Sequence, residues 1–561
     1  MEHVNPAKRP TVMVEDSKWT GYFTELQPLP CSHQSEVRIT DRRDELVQKV
    51  RCIIQDLGDK ENQGMKTVDA LERLGVGYHF EQEIATFMDV LSRKPAVGDD
   101  LCAVALQFRL LRQHHYDATC DVFKTFLDDN GDFKDALRSN VDALLSLYEA
   151  AHVSKCNEDV LNRGPNGGHL PRPIQNKVLH ALAAPTYRRI KRLQAKLYIS
   201  IYDGDNEKDH DILELAKLDF HILQQMHRDE VRSICLWYKD LNPKSTIGQY
   251  IRERPVECYY WALGAFYEPH YANARMMFAK LLILLTFFDD IFDSYGTLDE
   301  ARQFNQAVQS WDEEAARKIG NCYAYVLSYF SDTFEAFVAD NGASPIGIDC
   351  VKEEMKEISR CMLQELVWRD ERQVPTVHEY LTEAAVISVQ YVPGAVTALV
   401  GMNAKDEVFS WARSYPKIIE IAATMCRLMD DVAGHENEKE DRSKCFTAVD
   451  CYVNEHGATV QQAKKALHGL LEEHWRRINQ EFLSNVTVPV PLLTVLIDIV
   501  RTMDSMYIDV DAYSKCSKLA DPIHKLLNEN ACTSLLPIYT ECTLRIPIMN
   551  KYHLFSNILW R

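Results

Sequence analysis

A chain of 561 residues is too long for one core, and length alone suggests three or four domains of ~150 residues, a count that large helical domains halve. Its apolar fraction of 46% and charged fraction of 26% are ordinary for a soluble globular protein. A net charge of -19 argues against a nucleic-acid footprint and an anionic membrane surface, while allowing a phosphate ligand if divalent cations sit between the two.

The N-terminal run Met1 to Lys8 lacks the apolar stretch of a secretory signal and the Arg/Ser richness of a transit peptide. Further on, apolar residues at i, i+3, i+4 and i+7 predict helices over residues 44–57, 67–91, 141–152 and 174–202. Residues 163–173 read as a surface loop, and Pro and Gly also collect at Asn242-Pro243 and between Gly342 and Pro345. No run of alternating β-branched residues and no fixed-period repeat occurs, so the expected fold class is all-α. The longest near-uniform apolar run, residues 281–288, is broken only by Thr286 and falls far short of the ~20 residues that span a bilayer. Sixteen cysteines form no CxxC pair and no zinc-type cluster; they read as small buried hydrophobes in a reducing compartment, with a disulfide framework as the weaker alternative. A soluble cytoplasmic protein is expected.

Three segments carry chemistry. Arg252-Glu253-Arg254 lies between Gly248 and Pro255, in a loop or at a helix start, where two guanidiniums could receive an anion by bidentate bonds. Residues 281–293, taken as a helix, are apolar on every face and then end in Asp289, Asp290 and Asp293. Asp289 and Asp293, at i and i+4, share a face, and Asp290 is turned away by about 100°. Carboxylates gathered at the negative end of a helix dipole repel one another, and Mg2+ relieves this because it takes oxygen ligands and is shared between carboxylates, waters and substrate phosphates. In the third segment Arg427, Asp430, Gly434 and Glu438 again share one helix face. Gly434 leaves room there for a cation or a water, and Arg427 can hold a phosphate oxygen.

With these motifs the chain resembles the plant class I terpene synthases, in particular the cytosolic sesquiterpene synthases, over nearly its whole length. Asp289-Asp290-Ile291-Phe292-Asp293 resembles the aspartate-rich motif; Asp430, Gly434 and Glu438 resemble the second metal motif; Arg252-Glu253-Arg254 resembles the upstream RxR motif. Arg109 to His114, Leu215 to Phe220 and Glu257 to Gly264 are similar to family stretches, and Arg9-Pro10 ahead of Trp19 is similar to the R(R/P)x8W motif. The resemblance implies a segment over residues 1–18 that caps the site, an N-terminal helical domain over 19–225 and a catalytic domain over 226–536. It implies three Mg2+ ions, with Mn2+ as a substitute: Asp289, Asp290 and Asp293 on one side, and Asp430, Gly434 and Glu438 on the other. The implied substrate is (2E,6E)-farnesyl diphosphate, bound through Arg252, Arg254, Arg427 and the aspartates by a monomer. Trp261, Tyr391, Tyr507 and Tyr513 are expected to wall a cation-bearing cavity, with Asp511 managing the cation or a proton.

Two departures stand out. Gly434 replaces the family's Ser or Thr, so a water is expected in that ligand's place, and residues 537–561 form a tail with no family counterpart. A chain-elongating prenyl transferase is disfavoured by the Asp/Gly/Glu character of the second motif, and a non-catalytic helical scaffold by the intact acidic residues and Arg252.

Overall fold

The computed structural model describes residues 15–25, 33–57, 60–94, 98–134, 137, 140–158, 185–385, 391–440, 445–508 and 510–529. Among the described residues the regular structure is helical, apart from one isolated antiparallel bridge between Leu127 and Phe133. No described helix is long and apolar enough to cross a membrane. The loop read at 163–173 and the tail at 537–561 lie outside the described residues.

Contacts divide the chain into two units. One takes in described residues up to 25, 225–471 and 488–527; the other takes in residues 33–224, 472–487 and the last two described positions. The resemblance implies continuous stretches instead, 19–225 and 226–536. The first described residues group with the later part of the chain because Ser17 donates to the buried Glu257 carboxylate at 2.6 Å and the Cys516 thiol faces the carbonyls of Glu15 and Asp16.

In the unit containing residues 33–224, the helix Leu101–Gln113 is capped by the Asp100 carboxylate and packs on Val141–Ala151, itself capped by Asn140. Two expected helices differ from the reading, and residues 174–184 of the second lie outside the described residues. Residues 67–91 form the end of Glu61–Arg73, a short 3-10 turn and then Glu81–Ser92, because Gly75 takes a left-handed φ of 75° that ends the first helix. Before Lys191–Asp203, Pro185 is extended and only a 3-10 turn follows it. Arg112 is buried here, with its guanidinium satisfied by Glu158 and the carbonyls of Ala118 and Val153.

Six helices of the other unit matter for the site: α1 (Pro255–Ala265), α2 (Ala272–Asp290), α3 (Pro345–Glu371), α4 (Tyr391–Gly401), α5 (Lys417–Glu440) and α6 (Val490–Met506). Proline in the first turn of α1 sets its start, since the missing N–H has no partner there anyway. The apolar run of α2 is buried on all faces, packed among α1, α4 and Asn321–Asn341. Each fully buried Leu, Ile or Phe on it contributes roughly 1.5–3 kcal/mol. Close helix approach depends on glycine: a Cβ on Gly264 of α1 would lie 2.4 Å from Thr502 Oγ1 of α6, and one on Gly401 would lie 2.4 Å from Ala274 Cα of α2. After Asp290 the α-helix widens into a π-turn, Ile291–Tyr295. Such turns are frequent at functional sites.

Candidate active site

Helices α1 to α6 surround one cavity whose lining is divided in character. Arg252, Asp289, Asp293, Glu365, Arg427, Asp430, Asp431 and Asp511 make its charged part, and Trp261, Phe278, Leu282, Met362, Ile499 and Met503 are among the groups of its apolar part. Polar groups meeting an apolar hollow are the usual form of a small-molecule site.

The charged part begins at the end of α2. Asp289 and Asp293 both line the cavity across the α-to-π transition, as their spacing predicts. Asp290 does not line it. Its carboxylate is buried and accepts from Arg252 twice, from the backbone N–H at 2.7 Å and from Nε at 2.6 Å. Asp290 thus faces the arginine rather than the cavity, which departs from its grouping with the metal ligands. A second ion pair joins Arg252 Nη2 to Asp289. Burial works against the Arg252 charge, but the carboxylates of Asp290 and Asp289 outweigh it and hold the group well above its ordinary range. Burial in turn pushes Asp290 up to about 6 despite Arg252.

Solvent reaches Asp293 through the cavity, yet enough protein surrounds it that burial, followed by the charges of Asp289 and Glu365, pushes it up to about 7. On α5, Asp430 is pushed up to about 8 by burial, against the pull of Arg427 and with added repulsion from Asp511, Asp431 and Asp289. These acidic groups crowd one space and cannot all ionise cheaply without a cation. Arg427 is 3.3 Å from Asp431, 3.7 Å from Asp430 and 3.8 Å from Glu365. Asp431 also accepts from the backbone N–H of Ala448 at 2.7 Å, which fixes the start of the helix Ala448–His456. Gly434 and Glu438 lie on α5 as expected, the former buried; the Glu438 side chain is outside the described residues.

Arg254 also departs from expectation. It is 1% exposed, and its guanidinium donates to the carbonyls of Tyr513 at 3.0 Å, Ser514 at 3.2 Å and Glu253 at 3.0 Å. It ties the 513–514 segment down and does not line the cavity. Asp511 supports the same segment from the other end, accepting from the N–H groups of Tyr513 and Ser514 at 2.9 Å each.

All four expected aromatic residues line the cavity. Trp261 and Tyr513 meet edge-on with centroids 5.7 Å apart, and the Tyr391 hydroxyl donates to the Leu496 carbonyl at 3.0 Å. Sequence reasoning missed Glu365. It sits in α3 among other charged residues at helical spacing, with no motif to separate it from a solvated face.

The donor set is all oxygen, which suits a hard divalent cation. Among the described residues no three His, Cys, Asp or Glu side chains converge closely enough to hold an ion alone. A cation would therefore complete its shell with waters or ligand oxygens, the usual habit of Mg2+.

Two family models match the chain: "Terpene synthase family, metal binding domain" over residues 239–477 and "Terpene synthase, N-terminal domain" over residues 18–164. A (-)-germacrene D synthase of Vitis vinifera is 36% identical over 505 residues, covering 86% of this chain and 90% of that protein. A probable sesquiterpene synthase of Santalum spicatum is 34% identical over 551 residues, covering 94% and 97%. Among solved structures, isoprene synthase from grey poplar (Populus x canescens), in complex with three Mg2+ ions and dimethylallyl-S-thiolodiphosphate, aligns with a TM-score of 0.78 at 26% identity over 88% of this chain and 97% of that one. A limonene synthase bound to 2-fluorolinalyl diphosphate shares the fold, with a TM-score of 0.85 at 22% identity over 93% of this chain and 100% of that one.

Proposed function

The chain belongs to the terpene synthase family, and from that premise we propose that it is a sesquiterpene synthase that ionises (2E,6E)-farnesyl diphosphate and releases a fifteen-carbon terpene. The observation that carries the reading is the single cavity in which Asp289, Asp293 and Asp430 face an apolar, aromatic hollow. Sesquiterpene synthases among the relatives support the chain length of the substrate.

The residues present fit Mg2+. Asp289 and Asp293 would hold it on one side, and Asp430 with Glu438 on the other, with a water in the place that Gly434 leaves open. Bound there, Mg2+ supplies positive charge that stabilises the departing diphosphate. Arg252 and Arg427 add fixed cationic donors at the same end, each already oriented by carboxylates and so needing little rearrangement. Arg254 acts at one remove, holding the backbone that carries Tyr513 and Ser514.

The allylic cation left behind meets Trp261, Tyr391, Tyr507 and Tyr513. A cation over such a ring gains ~0.5–2 kcal/mol per contact. Excluding water from this hollow keeps the cation from premature capture. Asp511, which lines the same cavity, would manage the cation or a late proton. Cytoplasmic location and a monomeric state complete the proposal.

The test is to incubate the full chain with geranyl, farnesyl and geranylgeranyl diphosphates, each with Mg2+, Mn2+ or a chelator, and to analyse volatile products by gas chromatography. Farnesyl diphosphate with Mg2+ should give the fastest turnover. Faster terpene formation from another chain length would overturn the substrate assignment.

A further inference from the structure

Tyr513 stands at the seam between the two parts of the cavity. Its ring lies 5.5 Å from Arg252 Cζ on one side and meets Trp261 edge-on at 5.7 Å on another. The orientation of that ring is set by two neighbours of its hydroxyl, one of which, Thr286, also lines the cavity. Its hydroxyl is hydrogen-bonded to Thr286 Oγ1 on α2 and lies 3.4 Å from Cys258 Sγ on α1.

The direction of each hydrogen bond follows from one fixed acceptor. The Leu282 carbonyl can only accept, and Thr286 Oγ1 lies 2.8 Å from it, so the single proton of Thr286 is spent there. Tyr513 must therefore donate to Thr286, and the Cys258 thiol donates to the phenolic oxygen. A chain of three donors results, running from Cys258 through Tyr513 and Thr286 to the Leu282 carbonyl. Cys258 and Thr286 are almost wholly buried and Tyr513 is 9% exposed. Burial pushes the Cys258 thiol up to about 12 and the Tyr513 phenol well above its ordinary range, so both keep their protons. In the sequence Thr286 is the one polar residue in the apolar run 281–288.

We propose that Thr286 is a positioning residue that shapes the product distribution, holding the Tyr513 hydroxyl out of the reaction volume so that the ring rather than the oxygen meets the carbocation. This rests on the reading of the chain as a farnesyl diphosphate-ionising synthase. With the proton of Tyr513 committed to Thr286 and a lone pair to Cys258, the ring is the principal group this residue offers. Released from Thr286, the hydroxyl could turn into the cavity and retain a water beside the cation. Capture by that water forms a C–O bond and loses one proton to solvent, giving an alcohol in place of a hydrocarbon.

The experiment compares full-length wild type with Thr286→Val, Thr286→Ser, Tyr513→Phe and the Thr286→Val/Tyr513→Phe double variant, using farnesyl diphosphate and Mg2+. Product ratios are read by gas chromatography, with kcat and KM measured separately and melting temperatures recorded for each protein. Thr286→Val keeps the shape and removes the hydrogen bond. It should change the alcohol-to-hydrocarbon ratio by about fivefold or more with KM within about twofold. Thr286→Ser should restore the wild-type ratio, and the double variant should match Tyr513→Phe alone because Thr286 acts through the hydroxyl that the second change removes. If Thr286→Val fails to fold, Thr286→Ala provides the same comparison. An unchanged ratio in Thr286→Val, an equal shift in Thr286→Ser, or additive effects in the double variant would overturn this proposal while leaving the synthase reading intact. A wild type that forms no terpene from any prenyl diphosphate would overturn both.

Discussion

Replacing Asp290 by Asn separates the two roles open to the middle aspartate of the Asp289–Asp293 segment. Both oxygens of Asp290 are engaged by Arg252, and the pair is nearly solvent-free on the aspartate side. A hydrogen bond to a charged group is worth ~1.5–3 kcal/mol, and breaking a buried pair from one side costs ~3–5 kcal/mol. Asn keeps one acceptor and the volume but turns the other position into a donor facing a donor, so about 3 kcal/mol of Arg252 anchoring is lost. If that loss falls on the transition state it corresponds to about 10²-fold in kcat/KM. The assay is pyrophosphate release across a Mg2+ titration, with a thermal melt to show that the variant is folded. The expected result is a drop of about 10²-fold in kcat/KM with half-saturating Mg2+ within about twofold of wild type. A rise of tenfold or more in the Mg2+ requirement would show that Asp290 is a metal ligand and refute the geometric reading.

Asp430→Asn and Asp293→Asn should each raise half-saturating Mg2+ by about tenfold or more, measured in the same titration, since each alters a cavity-lining carboxylate that the proposed function assigns to the metal. The raised pKa values of Asp293, about 7, and Asp430, about 8, set a pH dependence. The metal-free folded chain holds these protons more tightly than the unfolded chain, so their contribution to stability is lost as pH rises through about 7 to 8. A cation must displace the same protons. Differential scanning fluorimetry should therefore show the metal-free melting temperature falling from about pH 6 to pH 8.5 and the stabilisation by Mg2+ growing over that range; a larger Mg2+ shift at the lower pH would contradict the assignment. Arg254→Met should lower the melting temperature, since it strips a donor from the buried Tyr513 carbonyl, at a cost of ~1–3 kcal/mol if it is left unsatisfied, and from the part-buried carbonyls of Glu253 and Ser514, while half-saturating Mg2+ stays unchanged.

The sequence carried the helical class and the acidic centre because both are local. The uniformly apolar run ending in aspartates yields α2, i, i+4 spacing puts Asp289 with Asp293, and spacings of three and four line up Arg427, Asp430 and Gly434 on α5. What it could not yield depends on partners far along the chain. Asp290 and Arg254 look like their motif neighbours until Arg252, 38 positions from Asp290, and the carbonyls of Tyr513 and Ser514, about 260 positions from Arg254, claim their polar atoms. Glu365 has ordinary charged neighbours in a long amphipathic helix, and only the arrangement of α3 beside α4 brings it to the cavity. Single residues decide the helix limits that periodicity does not show, Gly75 with its left-handed φ and the extended Pro185 ahead of Lys191–Asp203. The π-turn after Asp290 has no signature in the spacing of the aspartates.

The central claim, that this cavity ionises farnesyl diphosphate and keeps the hydrocarbon, is tested most directly by quantifying pyrophosphate and solvent-extractable fifteen-carbon terpenes in one reaction. The expected result with Mg2+ is a one-to-one ratio that a chelator abolishes. Absence of terpene in the presence of Mg2+, or products that remain diphosphates lengthened by five carbons when isopentenyl diphosphate is supplied, would contradict it.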